Sequence, residues 1–475
     1  MNKVNEKVVK RKEIDFTKGS PTKLIMAFYW PLLLTSMLQQ LYNFADTWIV
    51  GQGLGDDAVA AVGNMGSLFF LIVGFSFGIA NGFGIMISQS YGAGNIEELK
   101  HRLAGIIKLG SVIAVLLSIV SVIYLEDILV LLRTDEKIMA DSLKYGYIVF
   151  GGLATGICYN ISGAILRALG DSRTPLKAII VSSVVNVTLN CVFIFGFKMG
   201  VEGVAIATIC AQLISAFVCI KRLSKIPEVR LEKRHFTNGA GLYFVLLKNG
   251  IPMALMNSIT AIGCMVVQYF VNGYGVVYTA AYAACSKYVN LFINPASTAG
   301  NAMSAYTGQN FGAKEYRRIK EGLFACLKIA FVSYILLGGL CVVAPRWLAG
   351  IILSGSEQID LVEIFLPRCG IMMIFVNALF VFRSAVQGMG KPMLPMISGI
   401  AEMVIRIFII WRFSDIMGFK ATAYAEIGAW VGAFLINALA FYVALAPYLK
   451  GLKNENVNKI EEAGEGKKEK VYAVR

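Results

Sequence analysis

The sequence predicts an all-α integral membrane protein of twelve transmembrane helices, built as two six-helix lobes related by a parallel internal repeat. Three observations predict it: a low charge content, a series of long apolar runs, and short motifs that return about 220 residues later. Of the 475 residues, 57% are hydrophobic and 16% charged, with a mean hydropathy of +0.65. A soluble chain carries about a quarter charged residues. Here the charge gathers at the two ends and in short clusters between runs of roughly 20 residues or more, the length a helix needs to cross ~30 Å of hydrocarbon.

The net charge of +14 raises the question of nucleic acid, and the placement of the cations answers it. Lys3, Lys7, Lys10, Arg11 and Lys12 precede the first run, and Lys100, Arg102, Lys221, Arg222, Arg230, Lys314, Arg317 and Arg318 fall in alternate gaps. The intervening gaps hold Asp56, Asp57, Glu126, Asp127, Glu357 and Asp360. This alternation is the positive-inside pattern, with cations retained by an anionic membrane surface.

The runs lie near 24–49, 58–87, 103–125, 139–160, 175–197, 202–221, 242–271, 278–305, 321–343, 361–384, 393–413 and 421–447. An even number of spans with basic flanks places both termini in the cytoplasm. The chain therefore divides into a basic amino-terminal segment (1–20), a first lobe (21–221), a charged cytoplasmic linker (222–241), a second lobe (242–448) and a cytoplasmic tail (449–475). The tail, rich in Lys, Glu, Asn and Gly, is expected to be disordered. Nothing resembles a cleaved signal, since no short apolar stretch is followed by a small-residue cleavage site.

The repeat rests on four anchors in the same order. Ser88-Gln-Ser-Tyr-Gly-Ala-Gly-Asn95 returns as Gly308-Gln-Asn-Phe-Gly-Ala-Lys-Glu315. Leu166-Arg-Ala-Leu-Gly170 with Pro175 returns as Val386-Gln-Gly-Met-Gly390 with Pro395. Pro31 matches Pro252, and Met199-Gly200 matches Met417-Gly418. Six spans separate the copies, so the halves share one orientation. Two similar bundles around a central cavity can rock between two states of similar energy, which favours a transporter over a channel.

With these residues in hand the sequence resembles the multidrug and toxic compound extrusion (MATE) family, in the branch of DinF-like and MepA-like bacterial proteins. The carriers are Pro31 with Gln39-Gln-Leu-Tyr-Asn-Phe-Ala-Asp-Thr-Trp-Ile-Val-Gly51, then Ala60-Ala-Val-Gly63, and Gln89 through Gly92-Ala93-Gly94. Leu166-Arg-Ala-Leu-Gly-Asp-Ser-Arg-Thr-Pro175 and Gly203-Val-Ala-Ile-Ala-Thr208 complete the set, which spans residues 20–448. The resemblance implies a multi-pass protein of the bacterial cytoplasmic membrane, without a prosthetic group. It implies export of cationic or amphipathic organic compounds against inward H⁺ or Na⁺ by alternating access. A lipid-linked precursor flippase is the alternative, and it would favour extra spans and a basic cavity.

Ionisable residues at membrane depth are costly and mark functional candidates. The first half offers Asp46, in the outer part of the first span and 15 residues beyond Pro31, which removes a backbone hydrogen bond and permits bending. Such an acid either takes up a proton or stays ionised beside a cation or polar partners, and either mode couples ion occupancy to helix geometry. Asn186 and Asn190 lie one turn apart on the fifth span, and Thr208 reaches the same depth on the sixth. Together they supply oxygen ligands for a Na⁺ ion or a hydrogen-bond network around a protonated acid. Relatives resemble an Asp-Asn-Asp-Thr set here; Asn190 replaces the second acid, which tilts the reading from Na⁺ towards H⁺. Structural glue between helices is the plain alternative for the two asparagines.

The second half offers Glu402 and Arg406, one turn apart on the eleventh span, with Glu426 on the twelfth. These read either as a structural ion-pair network or as a second titrating site. The seventh and tenth spans hold Gln268 and Arg383 where some relatives carry acids. For an organic substrate, Gln39, Tyr42, Asn43, Met256, Gln268, Met303 and Tyr306 supply an aromatic, thioether and amide lining, with ordinary helix packing as the alternative for each. Gly74, Gly78 and Gly82 are spaced for close helix contact. Small organic molecules and lipids are the expected partners of a functional monomer, and nucleic acid is not.

Enzyme chemistry is not expected. Nine cysteines stand singly in apolar runs with no CxxC pair, and no span contains a histidine. His101 and His235 lie in gaps without acidic or Cys partners at ligand spacing, so no metal centre is expected there.

Overall fold

A computed structural model describes residues 13–131 and 134–472, and every regular element among them is helical. The basic stretch 1–12 lies outside the described residues, as do 132–133 and 473–475. Spans 1 to 3 are Pro21–Leu54, Asp56–Gly92 and Ile96–Ile123. Span 4 is Glu136–Gly151 continued as Leu153–Ala168 across a 46° bend. Span 5 is Arg173–Cys191, prolonged by a π-helical turn over Val192–Gly196, and span 6 is Val201–Leu223. Spans 7 and 8 are Ala240–Gly273 and Val276–Gly312. Span 9 is Tyr316–Ser333, continued by a π-helical turn over Tyr334–Gly338 and by Gly339–Val343. Spans 10, 11 and 12 are Ser356–Gly388, Met393–Met417 and Lys420–Tyr472.

Ten of these helices are long and apolar enough to cross a bilayer, and the bent pair of span 4 makes an eleventh. Span 8 is long enough but too polar, carrying Lys287, Asn290, Asn294, Asn301, Gln309 and Asn310. Its polarity is tolerated because much of it is covered by other helices rather than lipid, with Tyr288, Phe292, Met303 and Tyr306 all buried. Span 12 runs on to Tyr472, so the tail expected to be disordered is helical as far as that residue. Lys and Glu are good helix formers, and a run of them can prolong a helix that a membrane span has already nucleated.

The repeat extends to the backbone. Left-handed residues pair between the halves as Gly55 with Gly275, Gly94 with Lys314, Gly170 with Gly390 and Lys198 with Gly418, each pair 220 residues apart. Gly94 takes φ 69° without strain, whereas Lys314 holds φ 61° at a cost, because its Cβ crowds the backbone there. Short helices Leu125–Leu131 and Pro345–Ile352 occupy equivalent places before spans 4 and 10.

The halves meet at one end and part at the other. At the end that carries residues 13–20, Gly92 and Gly312 sit so close to the opposite half that a Cβ would fall 1.9 Å from the Gln309 carbonyl and 2.0 Å from the Gln89 carbonyl. These are equivalent contacts across the pseudo-twofold axis. Ser88 Oγ donates to the Ala305 carbonyl (3.0 Å), Gln89 Nε2 to the Gly388 carbonyl (3.0 Å) and Gln309 Nε2 to the Ala168 carbonyl (2.9 Å). The amino-terminal segment adds to this seal: the Phe16 amide donates to Gln309 Oε1 (3.0 Å), and Phe16 packs edge-on against Phe28 and Tyr306.

Towards mid-depth Gly82 and Gly78 pack on the backbones of Gly250 and Ala254, as their spacing predicts. Gly74 contributes its carbonyl instead, accepting from Asn257 Nδ2 (3.2 Å), while a Cβ there would meet nothing within 4 Å. Ser36 Oγ donates to Asn294 Oδ1 (2.7 Å) at the same level. Beyond it, no hydrogen bond joins the halves among the described residues, and Gly63 and Gly66 also face open space. The result is a cleft closed at the terminal end and open at the far end.

Candidate functional site

The first lobe's candidate acid stands in the far half of span 1. Span 1 packs along span 5, whose one-turn spacing aims Asn186 and Asn190 at it from a single face. Asn190 Nδ2 donates to Asp46 Oδ1 (2.5 Å) and to Asn186 Oδ1 (2.9 Å). Both asparagines are fully buried, whereas Asp46 is half-buried. Thr208 donates its hydroxyl to the Val204 carbonyl (3.0 Å), leaving its oxygen to face the hydroxyls of Tyr42 and Tyr145. Both tyrosines also lie within electrostatic reach of Asp46. All four predicted residues thus converge, Tyr42 joins them from the predicted substrate set, and Tyr145 of span 4 was not foreseen.

Two atoms of this cluster are buried without a partner, Asn190 Oδ1 and Asn186 Nδ2. Asn190 turns its donor, not its oxygen, towards Asp46, an orientation that serves a carboxylate directly. A Na⁺ ion would draw on Asp46, the two amide oxygens and Thr208, and would require the Asn190 amide to turn over. No Lys or Arg forms an ion pair with Asp46 among the described residues. The π-helical turn at Val192–Gly196 follows directly after Asn190, and such turns often mark functional positions.

The second lobe holds a larger set than its sequence reading. Arg406 Nη2 reaches Glu426 (3.0 Å) and Glu402 (3.3 Å), and Arg383 Nη2 reaches Glu402 (2.8 Å). Tyr282 Oη donates to Glu426 Oε1 (3.4 Å). Two arginines and two glutamates, each less than 9% exposed, form a neutral, alternating chain across spans 10, 11 and 12. Arg383 belongs to this chain, although its sequence position marked it only as a non-acid in span 10. By the repeat, Arg406 stands where Asn186 does in the first lobe. Arg406 Nε and Nη1 and Arg383 Nε remain without acceptors.

The predicted substrate residues divide. Gln39 and Asn43 are exposed and Gln268 is partly so, on the far halves of spans 1 and 7, with Gln268 Nε2 donating to Asn272 Oδ1 (2.7 Å). Met256 is buried, its Cγ 3.1 Å from where a Cβ on Gly399 would stand. Met303 and Tyr306 are fully buried in the seal, in a cluster with Phe16, Phe28 and Val386. Tyr306 donates to the Arg318 carbonyl (3.1 Å). They face protein rather than the cleft, because span 8 is central and its terminal half is surrounded on all sides.

The histidines also differ from expectation. His235 Nε2 lies 3.3 Å and His101 Nε2 3.8 Å from the same Glu97 oxygen, with Arg234 at 3.4 Å. The fold supplies the acidic partner that the reading of the gaps missed. Among the described residues, no grouping of three or more His, Cys, Asp or Glu side chains fits a metal ion.

A MatE family model matches residues 31–192 and again 252–412, one copy in each half. The chain belongs to the MatE family. This MATE protein is 30% identical over 444 residues to "Probable multidrug resistance protein YoeA" of Bacillus subtilis, covering 90% of this chain and 94% of the relative. It is 22% identical to "Multidrug export protein MepA" of Staphylococcus saprophyticus, covering 86% and 91%. The structure titled "Crystal structure of MATE in the bent conformation" shares the fold with a TM-score of 0.87 at 20% identity, covering 93% of this chain and 99% of that one. The protein is accordingly a multi-pass membrane transporter and not an enzyme, and the duplicated family match bears out the parallel repeat.

Proposed function

We propose that this MATE transporter exports organic compounds, cationic or amphipathic, in exchange for inward H⁺, with Asp46 as the coupling carboxylate. The observation that carries the reading is a half-buried carboxylate within the first lobe whose close partners are neutral: Asn190, Tyr42, Tyr145 and Thr208. Nothing but a proton or an arriving cation neutralises it, so its state is tied to what enters. A protonated Asp46 would offer its O–H to the idle Asn190 oxygen once that amide turns over, drawing span 1 onto span 5. Ionised Asp46 accepts from the amide nitrogen as it stands. Na⁺ at Asp46, Asn186, Asn190 and Thr208 is the alternative coupling ion, less favoured because the set holds one acid. The relatives' names, probable multidrug resistance protein YoeA and multidrug export protein MepA, support export of drugs.

With the termini in the cytoplasm, the cleft opens outward, and the contacts of Gly92 and Gly312 form the inner gate. Substrate would enter after the lobes rock apart at that gate and close at the far end, a cycle one chain can complete alone. The lining at hand is Gln39, Tyr42, Asn43 and Gln268, amide and aromatic groups suited to varied amphipathic cations. The test is ethidium efflux from cells lacking their own exporters, with ΔpH and Na⁺ gradients imposed separately. Efflux driven by ΔpH alone in the wild type, and lost in Asp46→Asn at equal membrane abundance, is the expected result. Full activity of the mutant would sink the role of Asp46, and dependence on Na⁺ alone would replace H⁺.

A further inference from the structure

A small cavity of about 50 Å³ lies on the pseudo-twofold axis, at the floor of the cleft and above the glycine seal. Its lining is drawn in equivalent pairs from the two halves: Asn81 with Asn301, Ile85 with Ala305, and Arg167 with Gln387. Arg167 breaks the symmetry. It is a cation in a membrane span, and among the described residues its guanidinium forms no ion pair and no hydrogen bond. Its Nη2 is buried without a partner, and its guanidinium carbon lies 6.0 Å from the centre of the Phe77 ring. Asp171, four residues further along the chain, is already paired with Arg222, as is Glu13.

An ionised side chain at this depth destabilises a membrane protein unless paired or hydrated. The end of span 4 favours a cation through its helix dipole, which eases the charge without accepting its N–H groups. Packing does not require the charge either, since the equivalent position is filled by neutral Gln387. The remaining polar lining is amide and hydroxyl: Asn81, Asn301, Ser88, Ser304 and Gln387. These groups can donate, and no carboxylate lines the cavity.

We infer that this axial cavity binds an anionic group of halide or carboxylate size, held by the Arg167 guanidinium and the Asn81 and Asn301 amides. Because its lining comes from both lobes, the bound anion ties them together at the floor of the cleft. It thereby favours the arrangement closed at the terminal end. Asn301 is exposed, so the group arrives through the cleft. It is either a free inorganic anion or the carboxylate of an amphipathic compound, and only the second source rests on the export reading.

The test is thermal unfolding of the purified full-length protein in detergent at constant ionic strength, with gluconate replaced by chloride or by formate. Gluconate is too large for the cavity. The wild type should melt higher in chloride and formate, saturably, and Arg167→Gln should lose that response. Asn81→Asp supplies a carboxylate beside Arg167, so it should melt higher than wild type in gluconate and be indifferent to chloride. This second variant keeps the test decisive should Arg167→Gln fold poorly. Equal melting of the wild type in all three salts, or an unchanged chloride response in a folded Arg167→Gln, would overturn the site.

The source is settled in liposomes with a carboxylate-bearing fluorescent compound and its methyl ester. Selective loss of carboxylate transport in Arg167→Gln assigns the site to substrate. Equal transport of both, with the chloride response gone, assigns it to the free ion. Failure of both compounds to move at all in the wild type counts against the export reading and leaves the melting result standing.

Discussion

Removing Arg406 tests what the charged chain of the second lobe is for. The set of Arg383, Glu402, Arg406 and Glu426 is neutral and buried, so Arg406→Met leaves it with one net negative charge in a site the side chain fills at 2% exposure. Glu402 keeps Arg383 at 2.8 Å, but Glu426 is left with only the Tyr282 hydroxyl at 3.4 Å. Breaking a buried pair by deleting one partner costs about 3–5 kcal/mol, because the orphaned charge stays desolvated. That is roughly two to four powers of ten in the unfolding equilibrium. Arg406→Met/Glu426→Gln restores neutrality and should recover most of the loss, since a pair replaced as a unit is often nearly neutral. Unfolding in mixed micelles, followed by tryptophan fluorescence, reads both variants. A single mutant as stable as wild type, or a double mutant no better than the single, would refute the account. A stable double mutant that still fails to transport would show that the chain does more than hold the lobe.

Asn190→Ala removes the amide that donates to Asp46 and to Asn186 and should cost about 1.5–3 kcal/mol, as for a bond to a charged group; uncoupled proton leak in liposomes is the readout. Tyr145→Phe removes one hydroxyl facing Thr208 and should shift the pH midpoint of efflux while leaving protein abundance unchanged. Gly92→Val places a side chain 1.9 Å from the Gln309 carbonyl, so the seal at this gate between the halves must part by about 1 Å or more, an overpacking cost of roughly 1–3 kcal/mol. Spin-label distances across that gate should lengthen, and unchanged distances would show that the seal yields elsewhere. Lys314→Gly, matching Gly94, should raise the melting temperature, because the φ of 61° costs an L residue about 1–2 kcal/mol, against roughly 0.5–1 kcal/mol of extra chain entropy lost by glycine.

The twelve-span frame was legible because hydrocarbon thickness sets helix length, and the repeat because paired motifs mark turns of fixed geometry. Span 8 was read as a run despite its polar residues, and the fold explains them: a helix covered by protein need not satisfy lipid, so its hydropathy understates its role. Within the site, Asp46, Asn186, Asn190 and Thr208 were legible by depth and one-turn spacing. Tyr145 was not, since a tyrosine in a span carries no charge signal. Arg383 carried the signal that singled out Arg406, an ionisable group within a span, but its carboxylate partner stands on another helix, whereas Arg167 fell beyond the run read at 139–160 and stood only as part of a repeat motif. Met303 and Tyr306 were misjudged because side-chain chemistry does not say which half of a central helix faces the cleft.

The symmetry itself argues for a division of labour. At the closed end the two halves are nearly interchangeable: Gly92 meets Gln309 as Gly312 meets Gln89, and the left-handed turns pair throughout. A hinge that must open and close reversibly gains from equal halves, because matched surfaces leave neither conformation strongly favoured. At mid-depth and beyond, the equivalence of backbone persists while the chemistry diverges. Asn186 beside a lone acid in one lobe answers to Arg406 between two acids in the other. The second lobe's set is closed, every carboxylate already held by an arginine. The first lobe's acid has no cation partner, and its neighbours keep one idle acceptor and one idle donor. Only the first lobe can therefore change its protonation or ion occupancy without breaking an existing ion pair. On this physical ground the proposed coupling falls to Asp46 rather than to the charged chain of the second lobe.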